Sequence, residues 1–179
     1  MRDIKFTEPS LEIAVIKQLQ ELGYDYAIDS DQWCLSRALD SLINEELLLE
    51  RLMAINPGVK ISVLEQAISR LKNLDNPSLF ERNHIVHRWL TDGMQVEDYE
   101  SDVNPLVRFL DFTHPDNNVF QVANQLKFKE NRNIRIPDVI IFVNGIPLVV
   151  FELKSIEYNE DTFVERAYEQ LGRNGESDG

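Results

Sequence analysis

Ile136-Pro137-Asp138-Val139-Ile140-Ile141-Phe142-Val143-Asn144-Gly145-Ile146-Pro147-Leu148-Val149-Val150-Phe151-Glu152-Leu153-Lys154-Ser155 is apolar in its interior and charged only towards its ends. Valine, isoleucine and phenylalanine dominate on both sides of Asn144-Gly145, a dipeptide suited to reversing the chain between antiparallel strands. Strands with wholly apolar middles are normally buried on both faces, so the charged tips of such a hairpin emerge together at one edge of the core. Asp138 opens the first strand, and Glu152 and Lys154 close the second. Residues two apart on a strand share a face, so Glu152 and Lys154 point the same way. A simple two-residue turn would pair Val143 with Ile146 and Asp138 with Phe151, leaving the two acids on opposite faces. A three-residue connection over Asn144, Gly145 and Ile146, with Gly145 left-handed, would set Asp138 directly against Glu152. The spacing predicts that longer loop, or an equivalent bulge near Pro137.

Before this hairpin the chain changes period. Thr7 suits a helix N-cap and Pro9 a first turn, after which Leu11, Val15, Leu19 and Leu22 recur at helical spacing until Gly23. A second periodic stretch over about 35–55 closes at Asn56-Pro57-Gly58. Leu64, Ala67, Ile68, Leu71 and Leu74 then lay one apolar stripe along a third helix, and a shorter helix over about 79–90 ends at Gly93. Segments near 94–100, 106–112, 119–128, 135–143 and 147–155 read as strands separated by turn clusters. A last helix over 161–171 carries Phe163, Ala167, Tyr168 and Leu171 on one side. The expected fold is therefore α/β: a mostly antiparallel or mixed sheet with the early helices on one face and the last helix on the other. One domain would occupy 1–171, helical over 7–92, sheet over 94–155 and helical again over 161–171, with 172–179 a frayed or truncated tail.

The length of 179 residues fits one domain with a real core, and 43% hydrophobic with 27% charged residues is ordinary for a globular protein. No apolar run approaches a membrane span or a signal segment, so a cytosolic protein without a membrane partner is expected. Cys34 stands alone, which excludes an internal disulfide and reads as a half-buried structural thiol. The net charge of −13 argues against strong intrinsic DNA affinity, which comes mainly from Lys and Arg neutralising phosphates. Either the chain has nothing to do with nucleic acid, or it acts on DNA that partner domains hold while bound cations offset its carboxylates.

Two carboxylates and an ammonium at a core edge suit one chemistry in particular. Asp138 and Glu152 can hold Mg²⁺, which prefers oxygen ligands and keeps several waters, while Lys154 orients or helps deprotonate an attacking water and stabilises negative charge. That is hydrolytic phosphodiester cleavage. The same spacing also suits a surface ion pair between Glu152 and Lys154, with Asp138 merely following a proline. Pro137-Asp138 followed by Glu152-x-Lys154 resembles the PD-(D/E)xK nuclease motif, and the longer phrase resembles the N-terminal nuclease domain of type I restriction enzyme R subunits. The resemblance covers nearly the whole chain: besides 135–155 it includes residues 8–24, Asn56-Pro57, Asn83, Gly93, Asp111-Phe112, Pro115, Asn118 and Asn124-Gln125. It implies a restriction-endonuclease-like core that cuts double-stranded DNA with Mg²⁺. Asp138 and Glu152 would be metal ligands, the Leu153 carbonyl a further ligand and Lys154 the catalytic lysine. It also implies a larger complex, in which motor domains and methylation and specificity subunits grip the DNA. A catalytically silent docking module of the same complex is the rival expectation.

Two departures from that family pattern stand out. The family follows its core motif with Gln-x-x-x-Tyr on a helix; Gln170 fits as an accessory residue, but Asn174 occupies the tyrosine position. No Gly-x-x-x-x-Gly-Lys-Ser/Thr phosphate loop is present, so ATP would be used only by motor domains outside this chain. Among other candidates, Glu8 and Glu12 lie one helical turn apart, and one of them could reach the metal or simply favour the helix dipole. His84 and His87 are three apart, but no Cys or further His completes a zinc site, and they read as structural. His114, in a turn beside Pro115, reads the same way, and Asp111 reads as a packing or turn residue.

Overall fold

The first helix, α1 (Glu8–Glu21), starts at the Thr7 cap, whose N–H donates to Ser10 Oγ at 3.0 Å, and Pro9 lies in its first turn. The computed structural model describes residues 7–27, 41–75, 78–101, 103–130 and 132–155. After α1 come β1 (Asp25–Ala27), α2 (Glu45–Ile55), α3 (Ile61–Lys72) and α4 (Leu79–Asp92). The second half holds β2 (Met94–Gln95), β3 (Leu106–Val107), a 3-10 turn (Pro115–Asn117), β4 (Phe120–Asn124), β5 (Phe128–Glu130), β6 (Asn133–Arg135), β7 (Val139–Val143) and β8 (Ile146–Phe151). The helix expected over 161–171, Gln170, Cys34 and the tail lie outside the described residues.

The fold is α/β around a mixed four-stranded sheet ordered β1-β4-β7-β8, parallel between β1 and β4 and antiparallel elsewhere. On one face Ile16 of α1 meets Val122 and Val139, with Val15, Leu19 and Phe151 around them. On the other, Ile140 and Phe142 are fully buried with Ala123 and Leu126. β7 is buried at every position, as its unbroken apolar run requires. A separate cluster packs α2 and α3 against β2 and β3, with Ile146 joining it from the main sheet.

Several boundaries differ from the sequence expectation, each for a local reason. α2 begins at Glu45 rather than running through 41–44, because the Asn44 side chain accepts the Leu47 N–H at 3.1 Å and caps it there; the expected stretch over 35–40 lies outside the described residues. Leu74 falls beyond α3, which ends at Lys72 with Asn73 as its C-cap. The strand expected over 94–100 shrinks to β2: Lys60 draws in Asp98 and Glu100, and Asp98 accepts the Glu100 N–H to close a turn. The one expected over 106–112 shrinks to β3, because Asp111 folds the following loop onto itself. Its carboxylate accepts from the N–H groups of Thr113 (3.0 Å) and His114 (2.9 Å) and from Asn117 Nδ2 (2.8 Å). β2 and β3 pair with each other in a small ribbon of their own, so the strands do not form one continuous meander. β1 was not anticipated.

The connection between β7 and β8 also differs from the predicted three-residue loop. Asn144 and Gly145 form a two-residue turn with φ of 53° and 79°, and Val143 pairs with Ile146. The loop stays short because Asn144 is fully buried and completely engaged. Its amide donates to Phe109 O and Asn118 Oδ1, both at 2.9 Å, and its Oδ1 accepts the Val119 N–H at 2.8 Å. Asn44 N–H donates to Gly145 O at 2.9 Å, tying the turn to the start of α2. Register is then corrected further along. Phe142 pairs with Pro147 but Ile141 with Val149, so Leu148 is the extra residue of a β-bulge. The bulge is in β8, not near Pro137, and it shifts the pairing by one before the strand tips are reached.

Candidate functional site

Beyond the bulge, Val139 pairs with Phe151, and one step further along that register Asp138 stands against Glu152. On its other side Val139 pairs with Asn124, so Gln125, Asp138 and Glu152 each follow directly from the last rung of adjoining strands. They form one rim of the sheet.

Asp138 is half-buried and held from three directions. Its Oδ2 accepts the Leu153 N–H at 2.6 Å, its Oδ1 faces Gln125 Nε2 at 3.4 Å, and its carbonyl accepts the Gln125 N–H at 3.1 Å. Gln125 adopts a left-handed φ of 51°, a costly conformation for a residue with a side chain. That twist lets one residue meet Asp138 through both backbone and side chain. The same Nε2 donates to Glu12 Oε2 at 2.9 Å, and the Asn124 amide donates to Glu12 Oε1. Asn124 in turn accepts from the Tyr26 hydroxyl at 2.6 Å. Glu12, half-buried on α1, is thereby coupled to Asp138 through a shared amide, whereas Glu8 is exposed in the first turn of the helix.

Glu152 carries the electrostatic signature of the rim. Partial burial and then repulsion from Asp138 push its carboxyl above the usual glutamate value, and the charges of Lys154 and Arg135 pull it partly back. Asp138, Lys154 and Arg135 are thus all close enough for Glu152 to feel their charge. Among the described residues no direct ion pair joins Glu152 to Lys154. The simple surface-pair arrangement is not what forms.

Among the described residues no three His, Cys, Asp or Glu side chains converge tightly enough to hold a metal by themselves. The oxygen set at the rim still fits Mg²⁺, which typically takes one or two carboxylates and completes its shell with water. Asp138 and Glu152 would be those carboxylates. The Leu153 carbonyl belongs to the segment that Asp138 anchors through the Leu153 N–H. His84 and His87 are exposed on α4, and Asp111 with His114 serves the loop described above. Gln125, Asn124 and Arg135 join the site although their chemistry alone did not single them out. The available signal was position, since Asn124-Gln125 is a polar pair closing an apolar strand.

The family model for the N terminus of the type I restriction enzyme R protein matches residues 5–178. The type I restriction enzyme HindI endonuclease subunit of Haemophilus influenzae is 34% identical over 156 residues, covering 83% of this chain and 15% of that protein. The type I restriction enzyme SauMSSORF170P endonuclease subunit of Staphylococcus aureus is 33% identical over 158 residues, covering 86% of this chain and 16% of its own length. The chain therefore spans about one sixth of the curated relatives it matches.

Proposed function

Because the chain belongs to the family formed by the N terminus of type I restriction enzyme R proteins, we propose that it is a Mg²⁺-dependent endonuclease domain cutting double-stranded DNA within such a restriction complex. What supports this reading is the rim: the register of Val139 with Phe151, continued by one residue, sets Asp138 opposite Glu152, and burial and then the charge of Asp138 raise the Glu152 carboxyl while Lys154 pulls it back. The charges of Lys154 and Arg135 offset the repulsion between the two carboxylates only in part, and a cation at the rim would relieve the rest.

In this reading Asp138, Glu152 and the Leu153 carbonyl hold Mg²⁺. The chemistry the ion supplies when bound is polarisation of a phosphoryl oxygen and offset of negative charge. Lys154 orients the attacking water and stabilises charge building on the phosphate. Gln125 and Glu12 are positioning residues: the amide keeps Asp138 aimed into the rim, and Glu12 fixes the amide. ATP would be consumed by motor domains of the larger subunit, while methylation and specificity subunits select the site, all in the cytoplasm.

The net charge of −13 favours a second reading, a catalytically silent docking module of the same complex. Calorimetric titration of Mg²⁺ or Mn²⁺ into the wild type and Asp138→Ala separates the two. The nuclease reading expects binding that the substitution abolishes; binding indifferent to it supports the docking module.

A further inference from the structure

We propose that the β5–β6 ribbon is a contact surface for the phosphate backbone of duplex DNA, laid down beside the site where the strand is cut. The inference rests on the nuclease reading and adds to it the surface that engages the substrate.

Topology supplies the first observation. β4 ends at Asn124 and β7 begins at Val139, and the ribbon is the excursion between them, leaving the rim at Gln125 and returning at Asp138. Both ends of the ribbon are therefore fixed at the rim, where Gln125 N–H donates to Asp138 O.

Charge supplies the second. Lys127, Lys129, Arg132 and Arg135 place 4 of the chain's 18 basic residues in a nine-residue stretch whose only acid is Glu130, within a protein of net charge −13. Such local reversal is what phosphate recognition needs when the molecule as a whole repels DNA.

The third observation is an inverted burial pattern. Along the first arm Leu126 is buried and Phe128 half-buried, while Lys127 and Lys129 are exposed. Along the second, Arg135 is half-buried and Pro137 buried, while Ile134 is 67% and Ile136 44% exposed. Lys129 pairs with Ile134, so lysines and isoleucines share one outward face, with Arg132 at its turn. Two β-branched residues facing solvent between cations do not serve this domain's core. A two-stranded ribbon is also narrow enough to enter the major groove of B-form DNA, where apolar groups meet base edges and flanking cations meet phosphates.

The test measures fluorescence anisotropy of a labelled duplex of about 20 base pairs, in chelator and at low salt, with the 179-residue chain. The wild type is compared with Lys127→Gln/Lys129→Gln/Arg132→Gln and with Ile134→Ser/Ile136→Ser, each checked by thermal unfolding. The triple substitution is expected to weaken binding at least about tenfold and to reduce the dependence of log K on log salt by about 2 to 3. The isoleucine pair is expected to weaken binding with the salt dependence unchanged. Equal affinity and equal salt dependence in the wild type and the triple variant overturn the proposal. So does a wild type that does not bind the duplex, including one that binds vesicles of phosphatidylserine and phosphatidylcholine instead. Mg²⁺ titration of the same proteins keeps the two readings apart. A ribbon variant that loses duplex but still binds Mg²⁺ supports the ribbon, whereas an Asp138→Ala chain that binds Mg²⁺ as the wild type does sinks the nuclease reading alone.

Discussion

Gly145 shows how a single residue at the closed end of the hairpin governs the open end. Its φ of 79° is left-handed, and an added Cβ would lie 2.6 Å from the Asn44 carbonyl oxygen. Gly145→Ala should therefore cost about 2 kcal/mol or more, seen as a lower urea midpoint, because backbone strain and a backbone clash act together. At the other end, Glu152 gives a pH-dependent expectation whose sign follows from its upward shift. An acid whose folded-state pKa is raised destabilises the fold when ionised, and the penalty disappears as pH falls through that value towards the unfolded value near 4.5. Without metal, Glu152→Gln should raise the melting temperature at about pH 8 and give no advantage at about pH 4. A Gln variant no more stable than wild type at the higher pH would show that the rim is not strained by charge.

Among elements, the β7–β8 hairpin was the most legible, since two apolar runs around Asn144-Gly145 admit few other folds. Its need for a register correction was legible too, because the two acids could not otherwise meet. The device was not. A two-residue turn wins because buried Asn144 satisfies three partners only in that geometry, and nothing local to the turn announces Phe109, Asn118 and Val119 as those partners. The correction moved to Leu148, whose exposure on the edge strand lets it bulge at little cost. Deleting Leu148 should restore continuous pairing and leave Asp138 opposite Glu152, because the residue removed is the unpaired one, so Mg²⁺ binding should survive in a chain that still folds, as read by calorimetry and circular dichroism. Loss of Mg²⁺ binding in that deletion, with the fold intact, would mean that register alone does not set the site. The striped α3 was readable from its spacing alone. β1 was not, because Asp25-Tyr26-Ala27 is short and mixed and acquires strand geometry only by pairing with β4. The β5–β6 ribbon was hidden because Ile134 and Ile136 look like strand interior when read without coordinates. Gln125 was legible only as part of the family resemblance; its contact with Asp138 was not, because it depends on a left-handed backbone.

For the molecule as a whole, acidity and nuclease chemistry are compatible if affinity and cutting are divided between parts. On the proposed nuclease reading, a chain of net charge −13 that spans about one sixth of its relatives would act on DNA held mainly by other parts of the complex. Lys154→Ala in the full-length subunit, assembled with its complex, should lower DNA cleavage by about a hundredfold or more and leave ATP-driven translocation intact. Unchanged cleavage would remove Lys154 from the chemistry. The most direct measurement is anomalous diffraction from crystals of this chain soaked in Mn²⁺. A manganese peak liganded by both Asp138 and Glu152, and absent in Asp138→Ala, is the expected result; a saturated crystal with no peak between those carboxylates would contradict it.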